Sequence, residues 1–139
     1  MARVLVVEDQ DENLDLMVYL LNAFGHETLV ARDGAQGVAV AAQTHPDLVV
    51  MDLQMPVMDG YEATARLKAD PALAHIPIVA VTAYAMVGDQ ERILQRGFDG
   101  YLTKPIDPEF FVGELERHLV SPAPADTAPA GTQPPGQEQ

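Results

Sequence analysis

Three continuous apolar runs constrain this chain more than any other feature, because each stops at a polar side chain able to do chemistry. Val4-Leu5-Val6-Val7 meets Glu8 and Asp9, Leu48-Val49-Val50-Met51 meets Asp52, and Ile78-Val79-Ala80-Val81 meets Thr82. Runs of this length without alternation suit strands buried on both faces. Between them lie segments of helical period. Leu14, Met17, Val18 and Leu21 lead to a terminating Gly25, and Asp33-Gly34 opens an Ala-rich helix to about His45. Asp59-Gly60 opens another through Ala63 and Leu67, and Gln90 to Gln95 is stopped by Gly97. Thr28 to Ala31 and Gly100 to Thr103 read as shorter strands, the latter ending at Lys104-Pro105. Pro71 to Pro77 reads as a loop. Asp107-Pro108-Glu109 predicts an N-cap with Pro at the first helical position, followed by an apolar stripe of Phe111, Leu115 and Leu119. Strands alternating with helices imply right-handed crossovers and an α/β fold: a parallel sheet with helices on both faces. In such folds the site lies at the carboxyl ends of the strands.

The 139 residues suffice for one domain, with 47% hydrophobic residues to fill its core. Composition changes after Val120. Ser121 to Gln139 holds five prolines and no aliphatic side chain larger than Ala, so residues 121–139 are expected to be a disordered tail, either inert or a tether, and residues 1–120 the folded domain. The chain starts almost directly on a strand, which favours a stand-alone domain with nothing before it. A net charge of −13 argues against nucleic acid and anionic membranes as partners. The absence of cysteine excludes disulfides, thiolate nucleophiles and Cys-ligated metals. No signal peptide or membrane span is legible, so a cytoplasmic protein is expected. His26, His45, His75 and His118 are isolated in sequence, and surface or capping roles are the default for each.

If the sheet is parallel, Glu8, Asp9, Asp52, Thr82 and Lys104 converge on one edge. Two carboxylates about 4 Å apart repel by roughly 4 kcal/mol at an effective dielectric near 20. A divalent cation relieves that repulsion, and a set of hard oxygen donors suits Mg²⁺. Simpler readings stay open residue by residue. Adjacent acids also cap helices, Lys104 also pairs with Asp52, Thr82 also suits a strand end, and Tyr101 also reads as a half-buried sheet aromatic. Lys104-Pro105 is a candidate cis peptide.

At these residues the chain resembles the receiver domain of two-component response regulators. The motifs are Val6-Val7-Glu8-Asp9, Met51-Asp52-Leu53-Gln54-Met55-Pro56-Val57-Met58-Asp59-Gly60, Val81-Thr82-Ala83 and Lys104-Pro105, and the likeness covers residues 3 to about 119. Thr82 to Asp89 and Tyr101 to Ile106 are similar to stand-alone cell-cycle regulators of the DivK type. The stretch from Met51 to Thr64 is equally similar to receiver modules of hybrid histidine kinases.

The resemblance implies a flavodoxin-like sheet of strand order 2-1-3-4-5, the order of a chemotaxis member of that family. It also implies Asp52 as phosphoacceptor, taking a phosphoryl group from a phosphohistidine on a sensor histidine kinase or a histidine phosphotransfer protein. Mg²⁺ would be held by Asp9, Asp52 and the Gln54 backbone carbonyl, with Glu8 acting mainly through water. Lys104 would neutralise phosphoryl charge. Thr82 and Tyr101 would form a switch pair reshaping the face from the fourth strand to the fifth helix for a downstream protein. Gln54 and Tyr84 would tune phosphoryl lifetime, with a bulky Tyr84 lengthening it.

The implied function is a single-domain signalling switch that catalyses only its own phosphorylation and dephosphorylation. The alternatives are a relay intermediate that passes the group on, or a hybrid-kinase module. An aspartyl phosphatase would need a second Asp where Gln54 stands. A flavodoxin would need a phosphate loop where Glu8 to Glu12 is acidic. No helix-turn-helix or effector domain follows.

Overall fold

A computed structural model describes residues 2–83 and 87–119. The strands are β1 (Arg3–Val7), β2 (Glu27–Ala31), β3 (Leu48–Asp52), β4 (Ile78–Thr82) and β5 (Gly100–Thr103). They alternate with α1 (Asp11–Ala23), α2 (Gly34–Thr44), α3 (Gly60–Ala69), α4 (Val87–Gln95) and α5 (Phe111–Glu116). All neighbouring strands pair in parallel, in the order β2-β1-β3-β4-β5. The α/β class and the strand order implied by the resemblance both hold.

The apolar runs are buried on both faces because the sheet separates two cores. One face carries Leu5, Val7, Val49, Met51, Ile78 and Ala80 against α2, α3 and α4, through residues such as Ala41, Leu67 and Ile93. The other carries Val4, Val6, Leu48, Val50, Val79 and Val81 against α1 and α5, through Leu14, Met17, Leu21, Phe111 and Leu115. Odd and even positions of one strand therefore serve different helices, which is why no polar residue interrupts the runs.

Side chains set the helix ends. Asp33 Oδ1 accepts from the Gln36 N–H at 2.8 Å, and Asp59 Oδ1 from the Glu62 N–H at 2.9 Å. His45 closes α2 in the left-handed conformation, at φ 49°. At the last helix the structure differs from the sequence expectation. Asp107 caps a tight turn, not the α-helix itself. Its Oδ1 accepts from the Glu109 N–H at 3.0 Å, and its carbonyl accepts from Phe110 and Phe111 at 3.1 and 3.0 Å. The turn leaves Phe110 exposed and delivers Phe111 into the core, so α5 proper begins three residues after Pro108.

His26 also departs from expectation. It is buried, with Nδ1 accepting from the Ala2 N–H at 3.1 Å and Nε2 lying 2.7 Å from Glu116 Oε2. It thereby ties the start of β2 to α5 beneath the sheet. Tyr84 and residues 120–139, including the expected tail, lie outside the described residues. Among the described residues no helix is long and apolar enough to cross a membrane.

Candidate functional site

Strand register brings the candidate residues together. Val7, Met51, Ala80 and Tyr101 occupy one row across β1, β3, β4 and β5. One residue further, Asp52 stands beside Val81, and Glu8 follows Val7 out of β1. One further again, Thr82 stands beside Thr103, with Asp9 following Glu8 and Lys104 following Thr103. The Lys104 N–H donates to the Thr82 carbonyl at 2.8 Å, which continues the ladder to the lysine itself. The convergence predicted for Glu8, Asp9, Asp52, Thr82 and Lys104 is the geometry found. The Lys104–Pro105 peptide is cis.

The edge holds an unusual density of buried charge. Asp52 is 3% exposed, Glu8 is fully buried and Asp9 is half-buried. One carboxylate oxygen from each lies within 4.8 Å of the others. Lys104 Nζ sits 3.2 Å from Glu8 Oε1 and 3.3 Å from Asp52 Oδ2, so it pairs with Glu8 as well as with the expected Asp52. Asp52 Oδ1 accepts from the Gln54 N–H at 3.2 Å, and Glu8 Oε2 from the Gln10 N–H at 3.1 Å. Glu8 Oε1, despite Lys104 nearby, accepts no hydrogen bond.

Electrostatics follow from this crowding. Burial, and then the adjacent Asp52 carboxylate, push the Glu8 pKa up from 4.5 to about 7. Burial alone would lower the Lys104 pKa, but Asp52 and Glu8 outweigh it and raise it. One ammonium thus serves two buried carboxylates with a third carboxylate beside them, and Glu8 Oε1 lacks a hydrogen-bond donor. Such a site fits a hard divalent cation: the donors are all carboxylate oxygens, and added positive charge offsets a repulsion that burial makes worse.

The remaining candidates surround this cluster. Thr82 is buried and helps line a shallow depression with Leu53, Gln54, Tyr61, Asp89 and Arg92. Tyr101 is half-buried on β5, packed against the core shared with α2, α3 and α4. The loop from Leu53 to Asp59 starts and ends at Asp52. The Gly60 N–H donates to the Leu53 carbonyl at 3.1 Å, and a Cβ on Gly60 would lie 2.3 Å from the Asp52 carbonyl oxygen, so only glycine fits. The Met58 carbonyl accepts from the Gly34 N–H at 3.0 Å, pinning the loop to the start of α2.

At the loop's tip the Met58 N–H donates to the Pro56 carbonyl at 2.7 Å, with Val57 between them at φ 69°. This is the geometry of a classic γ-turn, rare and strained. A β-branched residue held there costs about 1–3 kcal/mol. Sequence reasoning missed Val57, because valine is the residue type least expected in a left-handed turn.

Comparison with known proteins agrees with this geometry. Residues 4–116 match the response regulator receiver domain. The chain is 44% identical over 116 residues to the polar-differentiation response regulator DivK of Brucella ovis, covering 84% of this chain and 94% of the relative. The DivK of Brucella anthropi is 43% identical over the same length. Among solved structures, the chemotaxis protein CheY4 of Vibrio cholerae superposes with a TM-score of 0.81 at 29% identity, over 86% of this chain and 99% of that one. The receiver domain of the sensor histidine kinase PA1611 from Pseudomonas aeruginosa, solved with a magnesium ion coordinated in its active site cleft, gives 0.79 at 35% identity, over 85% and 97%. The chain belongs to the response regulator receiver family.

Proposed function

We propose that this receiver domain accepts a phosphoryl group on Asp52 from a phosphohistidine and signals through a phosphorylation-dependent protein interaction. The observation that carries the reading is a nearly buried Asp52 carboxylate within reach of two other carboxylates and one lysine. An Asp52 oxygen attacks phosphorus, the phosphorus–nitrogen bond breaks, and the donor imidazole leaves as the neutral ring once protonated. Lys104, already 3.3 Å from Asp52 Oδ2, balances charge on the transferred oxygens. Glu8, Asp9, Asp52 and the Gln54 backbone carbonyl would hold Mg²⁺, with Glu8 acting mainly through water. Mg²⁺ when bound supplies charge neutralisation of the phosphoryl oxygens. Gln54 and Tyr84 tune the lifetime of the product.

After transfer, Thr82 bonds a phosphoryl oxygen and Tyr101 moves further inward, reshaping the β4–α5 face for a downstream protein. The donor is a sensor histidine kinase or a histidine phosphotransfer protein, and the setting is cytoplasmic. Residues 1–120 form the receiver, and residues 121–139 are an extension of it. The likeness to DivK over nearly that relative's whole length favours the single-domain switch. The likeness to the receiver domain of a sensor histidine kinase supports a second reading, in which the chain relays its phosphoryl group onward.

The two readings separate in one experiment. Phosphorylated protein is incubated with histidine phosphotransfer proteins, and its affinity for candidate partners is compared with that of the unphosphorylated form. A switch retains its label and changes affinity; a relay loses its label to the acceptor.

A further inference from the structure

We propose that Arg92 on α4 is a second cation for the phosphorylated site, leaving Asp89 to hold oxygens of the phosphoryl group carried by Asp52. This rests on the phosphoacceptor reading given above and adds a residue to it. Arg92 lines one depression with Leu53, Gln54, Tyr61, Thr82 and Asp89. Two of these residues border the acceptor. The Gln54 N–H donates to Asp52 Oδ1 at 3.2 Å, and Thr82 follows Val81, which stands beside Asp52 across the sheet. The depression therefore flanks the Asp52 cleft on its α4 side. The chain leaves β4 at the carboxyl edge, so α4 starts at that edge and runs away from it. Helical side chains lean toward the helix N-terminus, which directs a long side chain at position 92 back toward the site.

Charge supplies the reason. With Mg²⁺ bound, the cation and Lys104 together balance the carboxylates of Glu8, Asp9 and Asp52. Transfer replaces the single charge of Asp52 with a group of about −1.5 to −2, which leaves the cleft with excess negative charge. Arg92 is the only cation among the described residues that line the depression. Its present partner holds it loosely. Arg92 Nη2 lies 3.3 Å from Asp89 Oδ1, the arginine side chain is 59% exposed, and an exposed i,i+3 pair adds little to a helix. A phosphoryl group offers the guanidinium a higher charge and three acceptor oxygens, in the planar geometry that suits it. Asp89 thus keeps Arg92 aside in the resting protein and yields it after transfer.

The test uses beryllofluoride, a stable stand-in for a phosphoryl group on an aspartate carboxylate. It is titrated in Mg²⁺ into wild type, Arg92→Gln, Asp89→Asn and the double variant, followed by tyrosine fluorescence, with Mg²⁺ titrated alone for comparison. Arg92→Gln should weaken beryllofluoride binding about fivefold and leave the affinity for Mg²⁺ alone within about twofold. Asp89→Asn frees Arg92 and should tighten beryllofluoride binding about twofold. In the double variant Asp89→Asn should add nothing, because the arginine it frees is gone. An Arg92→Gln affinity equal to wild type overturns the proposal. Equal losses in the two single variants also overturn it, since they would mark the pair as a brace of α4, and so does a tightening by Asp89→Asn that survives in the double variant. If the wild type binds no beryllofluoride and phosphoramidate fails to label it, the phosphoacceptor reading falls and takes this proposal with it.

Discussion

The two ends of the sheet treat their polar groups in opposite ways. At the amino end each one named here is matched. His26 has partners at both ring nitrogens. The Arg3 N–H meets Asp47 Oδ2 at 2.9 Å, and the Ile78 N–H meets Asp99 Oδ2 at 2.8 Å. The Asp47 and Asp99 N–H groups reciprocate to the carbonyls of Arg3 and Ile78, each at 2.8 Å. At the carboxyl end Glu8, Asp9 and Asp52 crowd together, one lysine pairs with Glu8 and Asp52, Glu8 Oε1 goes without a hydrogen bond, and Val57 sits in a strained turn. The same strands connect both ends, so the difference is not one of overall packing. The amino end is arranged for stability. The carboxyl end keeps buried like charges together, which the proposed cation and phosphoryl group would answer.

That contrast can be broken most forcefully at Lys104. Lys104→Ala removes the ammonium that touches both Glu8 and Asp52. Labelling by phosphoramidate in Mg²⁺ should slow about 10²-fold, a typical loss for one preorganised charge at a transfer site. A rate within a few-fold of wild type would mean Lys104 is only a structural counter-ion. The amino end predicts the reverse pattern. His26→Ala removes a buried link between β2 and α5 and should lower stability by about 2 kcal/mol in denaturant unfolding. Its phosphoramidate rate should not change, and a slowed rate would show that the two ends are coupled.

The smallest effect sharpens the comparison through pH. The Glu8 pKa is raised from 4.5 to about 7, so the folded state holds this proton more tightly than the unfolded chain does. Stability from that proton is therefore fully present below pH 4.5 and lost as pH rises through 7. Without divalent cations Tm should fall between pH 5 and pH 8, the interval about Glu8's two values. Saturating Mg²⁺, which favours the ionised form, should flatten that slope. Glu8→Gln should flatten it without metal and weaken Mg²⁺ binding. A metal-free Tm independent of pH over this interval would contradict the assigned strain at Glu8.

Much of this molecule is legible in the sequence, for a physical reason. Runs such as Val4–Val7 and Leu48–Met51 are buried on both faces, so their ends coincide with the sheet edge, and Glu8, Asp9, Asp52, Thr82 and Lys104 announce the site by following such strands. The order β2-β1-β3-β4-β5 is not written in periodicity, since any parallel order satisfies the same pattern; it came with the family's motifs. The His26–Glu116 link joins residues 90 positions apart and leaves no local trace. Val57 is hidden for a different reason: residue preference points away from the turn the loop imposes. The start of α5 is not legible because Asp107-Pro108 is equally good chemistry for a helix cap and for the tight turn found there.

The central claim is that the buried carboxylate of Asp52 is the phosphoacceptor. It is tested most directly by intact-mass analysis of wild type and Asp52→Asn after phosphoramidate treatment, with Mg²⁺ and with a chelator. The account predicts addition of one phosphoryl group to the wild type in Mg²⁺, little or none in chelator, and none to Asp52→Asn in either. Full phosphorylation of Asp52→Asn would contradict it.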